Sequence, residues 1–414
     1  WYWMPDMFES FFNDFEMQVS DFYKLSKLDP AYRVYFGKED SISIGDTLEK
    51  IYTAFEKEES GSSKKLAKFI ASASENYNIA IKNLVYRPGV SPLELITPET
   101  IVRIGQFFST IAKDVRKEFK NERLIKILEF PVLFLGAKPS DTPSFYNFMN
   151  YADFGLGTWQ PKGGMYAVIE GMSKLAKSLG VTIKTNTDVD QIIVENGVCK
   201  GVVANGKFMP SAIVLSGADY HHTETLLDRK YRQYSERYWD KKTFAPSSLL
   251  FYVGFDKKLQ NIDHHNLFFD TDFDTHAREI YDDPKWPSKP LFYANFTSVT
   301  DSDTAPEGCE NGFFLIPIAP GIKDNPQIRE DYFERIINRF EKITNQTVRN
   351  NIIFKESFCV EDFKQHYNSY KGNAYGMANT LLQTAFLRPK LKSSKVEGLF
   401  FTGQLTVPGP GIPL

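Results

Sequence analysis

The sequence predicts a chain of mixed α and β structure with more than one hydrophobic core. At 414 residues it outgrows a single ordinary core, so two domains or one interleaved pair are expected. Residues 161–219 run in the order helix, strand, β-meander, strand, which is α/β patterning. Residues 246–320 are rich in strand-forming runs punctuated by proline, the pattern of a mostly antiparallel sheet.

The first 150 residues read mainly helical. Residues 64–84 place Leu66, Phe69, Ile70, Ala73, Tyr77, Ala80, Ile81 and Leu84 at helical spacing. A further helix is expected from Thr97 as N-cap and Pro98 in its first turn, with the stripe Ile101, Ile104, Phe107, Phe108, Ile111 and Val115. Lys113, Arg116 and Lys117 lie towards its C-terminal end, where cations suit the helix dipole. Each stripe reads either as a core face or as a face for a membrane surface. After Pro161, the residues Met165, Val168, Ile169, Met172, Leu175, Ala176 and Leu179 share one face of a helix that Gly180 stops. VTIKTN is expected as a short strand. Strand-like runs then meet at two Asn-Gly turns, Asn196-Gly197 and Asn205-Gly206, each a strong hairpin signal. A helix at 327–343 carries Ile328, Phe333, Ile336, Ile337 and Phe340 on its apolar side. GNAYGMANTLLQTAFLRP predicts a glycine-rich loop running into a short helix, and GLFFTG a buried strand.

Composition narrows the function. A net charge of −3 gives no electrostatic reason to expect nucleic acid. The three cysteines stand far apart with no CxxC, which fits a reducing compartment and speaks against a disulfide framework or a zinc site. The six histidines form no HxxxH pair, and the adjacent His221-His222 and His264-His265 point their rings apart. No metal is expected. The unbroken apolar run of roughly 18 residues that a spanning helix needs does not occur. With 35 Phe and 21 Tyr, the chain has the flat side chains that line apolar pockets and also fill ordinary cores.

No GxGxxG is present. Gly155-Leu156-Gly157 comes near it, but Gln160 and Pro161 stand where a third glycine and a helix should begin. Gly163-Gly164 does open a helix, without the strand the fingerprint requires. Asp153, in NYADFG, is the one carboxylate singled out as a candidate catalytic base, against a solvated loop reading. His221, Asp219 and Arg388 read as helix cap, turn residue and C-terminal dipole partner, respectively.

These stretches carry a resemblance. QPKGGMYAVIEGMSKLAKSLGVTIKTNTDVDQIIVENGVCKGV is similar to the second flavin-domain section of bacterial phytoene desaturases and related carotenoid desaturases. IDHHNLFFDTDFDTHAREIYDDP, SVTDSDTAPEG and GNAYGMANTLLQTAFLRPKLKSSKVEGLFFTGQLTVPGPGIP resemble the same family, as does WYWMPD at the start. The likeness implies an α/β flavin-binding domain of Rossmann-like, amine-oxidase type built from discontinuous segments. It would be interleaved with an α+β substrate domain bearing a mostly antiparallel sheet and a helical lid. The expected sections are 1–10, 156–225 and 371–414 for the flavin domain, with 11–155 and 226–370 for the substrate domain. The cofactor implied is FAD. Pro161, Gly163, Gly164 and Met165 would stand near it, Val189 at its adenine end, and Gly403, Pro408, Gly409, Gly411, Ile412 and Pro413 beside the flavin ring. Glycines there permit close approach and prolines fix the path. Residues 161–219 and 397–414 are therefore expected to meet.

The resemblance implies desaturation of a phytoene-like forty-carbon polyene by hydride transfer to flavin and proton loss. A quinone or oxygen would accept the electrons, and the protein would be cytoplasmic and peripherally bound to a membrane. Such a hydrocarbon, at ~0.8 kcal/mol per buried methylene, has to arrive from a bilayer rather than from water. The alternatives left open are another flavin oxidoreductase of this superfamily (a carotenoid ketone-forming oxygenase, an amine or porphyrinogen oxidase) and a non-catalytic prenyl-lipid carrier of the GDP-dissociation-inhibitor type. Trp1-Tyr2-Trp3 is no start signal and the other end stops inside a Gly/Pro pattern, so a fragment lacking the GxGxxG segment and the extreme C-terminus is expected.

Overall fold

The computed structural model describes residues 1–411. Along the chain its strands are β1 Leu25–Lys27, β2 Tyr32–Gly37, β3 Asp40–Ile44, β4 Trp159–Pro161, β5 Val189–Glu195, β6 Val198–Ala204 and β7 Lys207–Pro210. They continue with β8 Val214–Ser216, β9 Ser247–Phe255, β10 His265–Phe268, β11 Phe292–Asn295, β12 Glu310–Ile318, β13 Ile352–Phe358 and β14 Leu399–Phe401. The largest sheet orders seven of them β13-β9-β12-β11-β10-β2-β3. Every neighbouring pair in it is antiparallel except β10 with β2.

The period of two in β12 divides this sheet into two working faces. Phe314, Ile316 and Ile318 point to one side and meet the helix Pro326–Thr344 through Phe333, Ile336, Ile337 and Phe340. Full burial of each such side chain contributes ~1.5–3 kcal/mol, and this face is a filled core. The alternate residues Phe313, Leu315 and Pro317 point the other way, into a cavity. Above that cavity lies helical structure, including Ser62–Lys82, Ile111–Glu118 and Glu122–Glu129.

The second unit is assembled from separated stretches. Strands β5, β6 and β7 form an antiparallel meander whose two Asn-Gly turns have positive φ at both residues, as a type I′ hairpin requires. β14 runs parallel to β8, with Leu399 opposite Val214 and Phe401 opposite Ser216, so residues 161–219 and 397–401 do meet. Gly398 permits this pairing: its φ is +83°, and a Cβ there would stand 2.3 Å from the Ala212 carbonyl oxygen. The helix Tyr166–Ser178 packs Val168 and Leu175 on Phe12 and Tyr23.

Three expectations are corrected, and one reading left open is decided. VTIKTN forms no strand. Among the described residues no strand lies beside it to satisfy its backbone groups, and Val181 and Ile183 are exposed. The helix expected from Pro98 is broken into Pro98–Val102, Ile104–Phe108 and Ile111–Glu118. Ser109 is extended there because its carbonyl accepts from the Ser144 N–H, and Thr110 caps the next helix by accepting from the Lys113 N–H. The stripe on Ser62–Lys82 is a core face: Leu66, Ile70, Ala73, Tyr77, Ala80 and Ile81 are all buried. The short helix before Pro389 reduces to two single turns, Leu381–Gln383 and Ala385–Leu387. Among the described residues no helix is long and apolar enough to cross a membrane.

Candidate active site

The main cavity, about 750 Å³, lies between the open face of the seven-stranded sheet, the helix Phe273–Tyr281 and the helical layer. Apolar and aromatic side chains dominate its wall. Phe313, Leu315 and Leu267 come from the sheet, Phe130 and Leu133 from the helical layer, and Trp1, Trp3 and Met4 from the start of the chain. The helix contributes Phe273, His276, Ala277, Ile280 and Tyr281, the i, i+3, i+4, i+7, i+8 stripe of one helix face. Met165, Pro410 and Gly411 line this same cavity, although some 245 positions separate Met165 from Pro410.

The corner next to Met165 is bare backbone. Gly163 and Gly164 have φ of +83° and +91°, and a Cβ on either would meet nothing within 4 Å. The Gly163 N–H donates to Asp301 Oδ2 at 2.6 Å, and Lys162 pairs with Asp303 at 3.3 Å, so the 297–304 loop props this corner. Pro161 ends β4 opposite Leu25, and its carbonyl accepts from the Gly164 N–H. Gly403, φ +108°, is likewise open, with only the Gly217 carbonyl oxygen near a Cβ at 3.8 Å. Gly403 lines neither cavity, but a flat ring laid beside Met165 meets glycine backbone rather than side chains at Gly163 and Gly164, and so the residues present fit a flavin.

The remaining residues of that set divide. Gly409, φ +129°, sits against Arg388 and Asn379. Pro408 lines a smaller cavity of about 270 Å³, which shares Leu135 with the main one. Val189 is exposed at the start of β5 and lines neither cavity. Ile412 and Pro413 lie outside the described residues.

Arg388 is buried and makes no ion pair among the described residues. Its guanidinium donates to the Gln404 carbonyl at 3.0 Å, the Met377 carbonyl at 2.9 Å and Asn379 Oδ1. It therefore staples two loop segments, 377–379 and the one at Gln404, behind Gly409 rather than closing a helix. Burial lowers its pKa to about 10, which leaves it charged at neutral pH.

Asp153 is 1 % exposed, in a π-helical turn spanning Tyr151–Gly155, and it does not line the cavity. It accepts from the Tyr32 hydroxyl at 2.8 Å, and its Oδ1 has no partner among the described residues. Tyr32 in turn packs edge-on against Trp1, 5.2 Å between centroids. Burial pushes the Asp153 carboxyl up to about 8, so it holds its proton at pH 7. Since the unfolded chain loses that proton near pH 4, stability contributed by Asp153 is full below that point and falls as pH rises through about 8. Asp153→Asn is expected to flatten the pH dependence of unfolding between those limits, read from urea midpoints at several pH values.

Imidazoles and hydroxyls supply the polar wall. His276 Nε2 donates to the Pro317 carbonyl at 2.8 Å and its Nδ1 accepts from the Leu291 N–H at 3.0 Å, while burial lowers its pKa to about 4. His265 stacks face to face on Trp1, 4.1 Å between centroids, with Nδ1 2.6 Å from the Tyr293 hydroxyl. Sequence reasoning assigned no role to His265, Asp301 or the helix Phe273–Tyr281, and read Arg388 as a helix-end residue. Only that helix had a local signal, its helical spacing of apolar residues.

Residues 99–409 match the family model of flavin containing amine oxidoreductases. A carotenoid 3,4-desaturase of Haloarcula japonica is 37% identical over 419 residues, covering 100% of this chain and 84% of the relative. A zeta-carotene-forming phytoene desaturase of Myxococcus xanthus is 27% identical over 420 residues, covering 99% and 80%. Among solved structures, an oxidoreductase from Methanosarcina mazei shares the fold with a TM-score of 0.62 at 16% identity, covering 98% of this chain and 82% of that one. With the family's match over most of the chain, with β8 paired to β14, and with Met165 and Pro410–Gly411 lining one apolar cavity, the chain belongs to the flavin containing amine oxidoreductases and, within them, to the carotenoid desaturase family.

Proposed function

We propose that this chain desaturates a carotenoid-type polyene, with FAD bound between the Gly163–Met165 corner and the Gly403–Gly411 segment. The observation that carries the reading is the main cavity: large, apolar, and lined by Met165 of the one segment and by Pro410 and Gly411 of the other. When bound, FAD supplies the hydride acceptor. The chain's own residues supply position and dryness. Phe313, Leu315, Phe273 and Ile280 hold a hydrocarbon by packing alone. Asp301 holds the corner through the Gly163 N–H. No carboxylate lines the cavity among the described residues, so the proton released from the polyene leaves without one beside it. Asp153 acts through Tyr32 and Trp1 to hold the cavity wall.

The substrate enters from a lipid surface through the smaller cavity. Leu84, Leu95, Phe107 and Leu381 line that cavity, and next to them in sequence Leu93, Ile96, Phe108 and Leu382 are each more than half exposed, as are Ile101, Val102 and Ile104. Exposed apolar side chains of this kind suit the headgroup–acyl boundary. The membrane-facing element is thus the 84–108 stretch with the 381–387 loop, rather than the 64–84 helix. The double variant Val102→Asp/Phe108→Asp is expected to lose at least tenfold in binding to phosphatidylcholine vesicles, read by flotation, while keeping FAD. Unchanged flotation contradicts this entry route. The electrons pass on to a quinone or to oxygen, which turnover under argon with and without an added quinone separates.

Anaerobic mixing of FAD-loaded full-length protein with phytoene in liposomes tests the whole reading. The flavin's visible band is expected to bleach as longer-wavelength polyene bands grow. New polyene without bleaching, or neither change, would refute it.

A further inference from the structure

His265 opens β10 on the wall of the main cavity and is 2 % exposed. Its Nδ1 lies 2.6 Å from the Tyr293 hydroxyl and 3.1 Å from Asn295 Nδ2. The Asn295 amide is oriented independently, because Nδ2 donates to the His264 carbonyl at 3.0 Å and Oδ1 accepts from the Thr297 hydroxyl at 2.9 Å. An amide NH₂ only donates, so His265 Nδ1 is the acceptor, and a neutral imidazole then carries its proton on Nε2. Burial, with His264 beside it, holds the ring neutral by lowering its pKa well below the usual histidine range.

That Nε2–H has no partner among the described residues. A buried donor without an acceptor is disfavoured, and the contrast on the same wall is His276, whose two nitrogens are both engaged. The ring's location narrows the missing partner. His264 Nδ1 is 2.6 Å from the Thr300 hydroxyl, and the next residue is Asp301, which holds the Gly163 N–H. His265 shares the cavity wall with Met165, and its neighbour His264 contacts the loop that props the glycine corner.

We propose that His265 donates from Nε2–H to an acceptor atom of the bound flavin ring, one that gains negative charge on reduction, and so raises the tendency of the ring to take hydride. This rests on the FAD and polyene reading, since a hydrocarbon offers no acceptor of its own. In the reaction a C–H bond of the polyene breaks with its electron pair going to the ring as hydride. The neighbouring carbon loses a proton to water and a carbon–carbon double bond forms. The ring gains one negative charge, and a fixed donor at its rim favours that state.

The test uses full-length protein loaded with FAD and no polyene, with the midpoint potential read by equilibration against a reference dye. His265→Phe keeps an aromatic ring for Trp1 and removes the donor. It is expected to shift the oxidised-to-reduced ratio at least tenfold towards the oxidised form, about 30 mV downward for a two-electron couple. His265→Asn, which keeps an N–H, is expected to fall between the two. An unchanged or higher potential in His265→Phe, at the same FAD content, overturns the proposal. If that variant does not fold, ¹⁵N-histidine spectra of the wild type decide: a protonated Nε2 whose signal moves on flavin reduction supports it, and a fixed or unprotonated Nε2 overturns it. A wild type that takes up no FAD overturns the underlying FAD reading instead, which separates the two failures.

Discussion

Ala277→Trp is expected to cut kcat/KM for the polyene by about 100-fold while leaving FAD content unchanged. Ala277 stands on the helix Phe273–Tyr281 with its side chain on the cavity wall, between His276 and Ile280. An indole there occupies space a long hydrocarbon has to fill. Overpacking an apolar space costs about 1–3 kcal/mol, and the upper end of that range is about 100-fold in rate. Ala277→Leu, a smaller intrusion, is expected to lose less. The helix itself tolerates both changes, because Trp and Leu are adequate helix formers. Steady-state assays on liposomal substrate, paired with the flavin absorbance of the purified protein, check the two halves of the claim separately.

Arg388→Ala is expected to do the opposite: lose FAD first, and activity through that loss. The guanidinium satisfies the Gln404 and Met377 carbonyls and the Asn379 side chain, all behind the Gly409 backbone. Removing it leaves buried acceptors unpaired, at ~1–3 kcal/mol each and not additively, so a destabilisation of about 3 kcal/mol is expected. The segment it releases leads into Pro410 and Gly411 on the main cavity. Arg388→Lys keeps a charge but offers a compact ammonium in place of a fork, and recovers little. Denaturant midpoints and the FAD-to-protein ratio are the measurements.

Elements whose cause is local were legible in the sequence. The two Asn-Gly turns set the meander because positive φ at both turn residues is a property of those residues alone. The alternation in GFFLIPI and the stripe in the helix Pro326–Thr344 likewise mark a sheet and the helix on it. What depends on a distant neighbour was misread. VTIKTN has strand composition but no strand beside it among the described residues, and the helix after Thr97 breaks where Ser109 finds Ser144. The site was legible only through the resemblance to known desaturases. Its glycines mean little until β14 lies beside β8, and Phe313 cannot be told from Phe314 by composition although one faces the cavity and the other the core. Arg388 looked like a helix-end residue because its three acceptors come from loops with no pattern of their own.

A crystal structure of the full-length protein with FAD bears most directly on the central claim, that two remote stretches of chain form one seat for the ring beside an apolar cavity. The account predicts the ring within van der Waals reach, about 4 Å, of both the Gly163–Met165 corner and the Pro410–Gly411 backbone. A ring in contact with only one of them, or lying outside the main cavity, would contradict it.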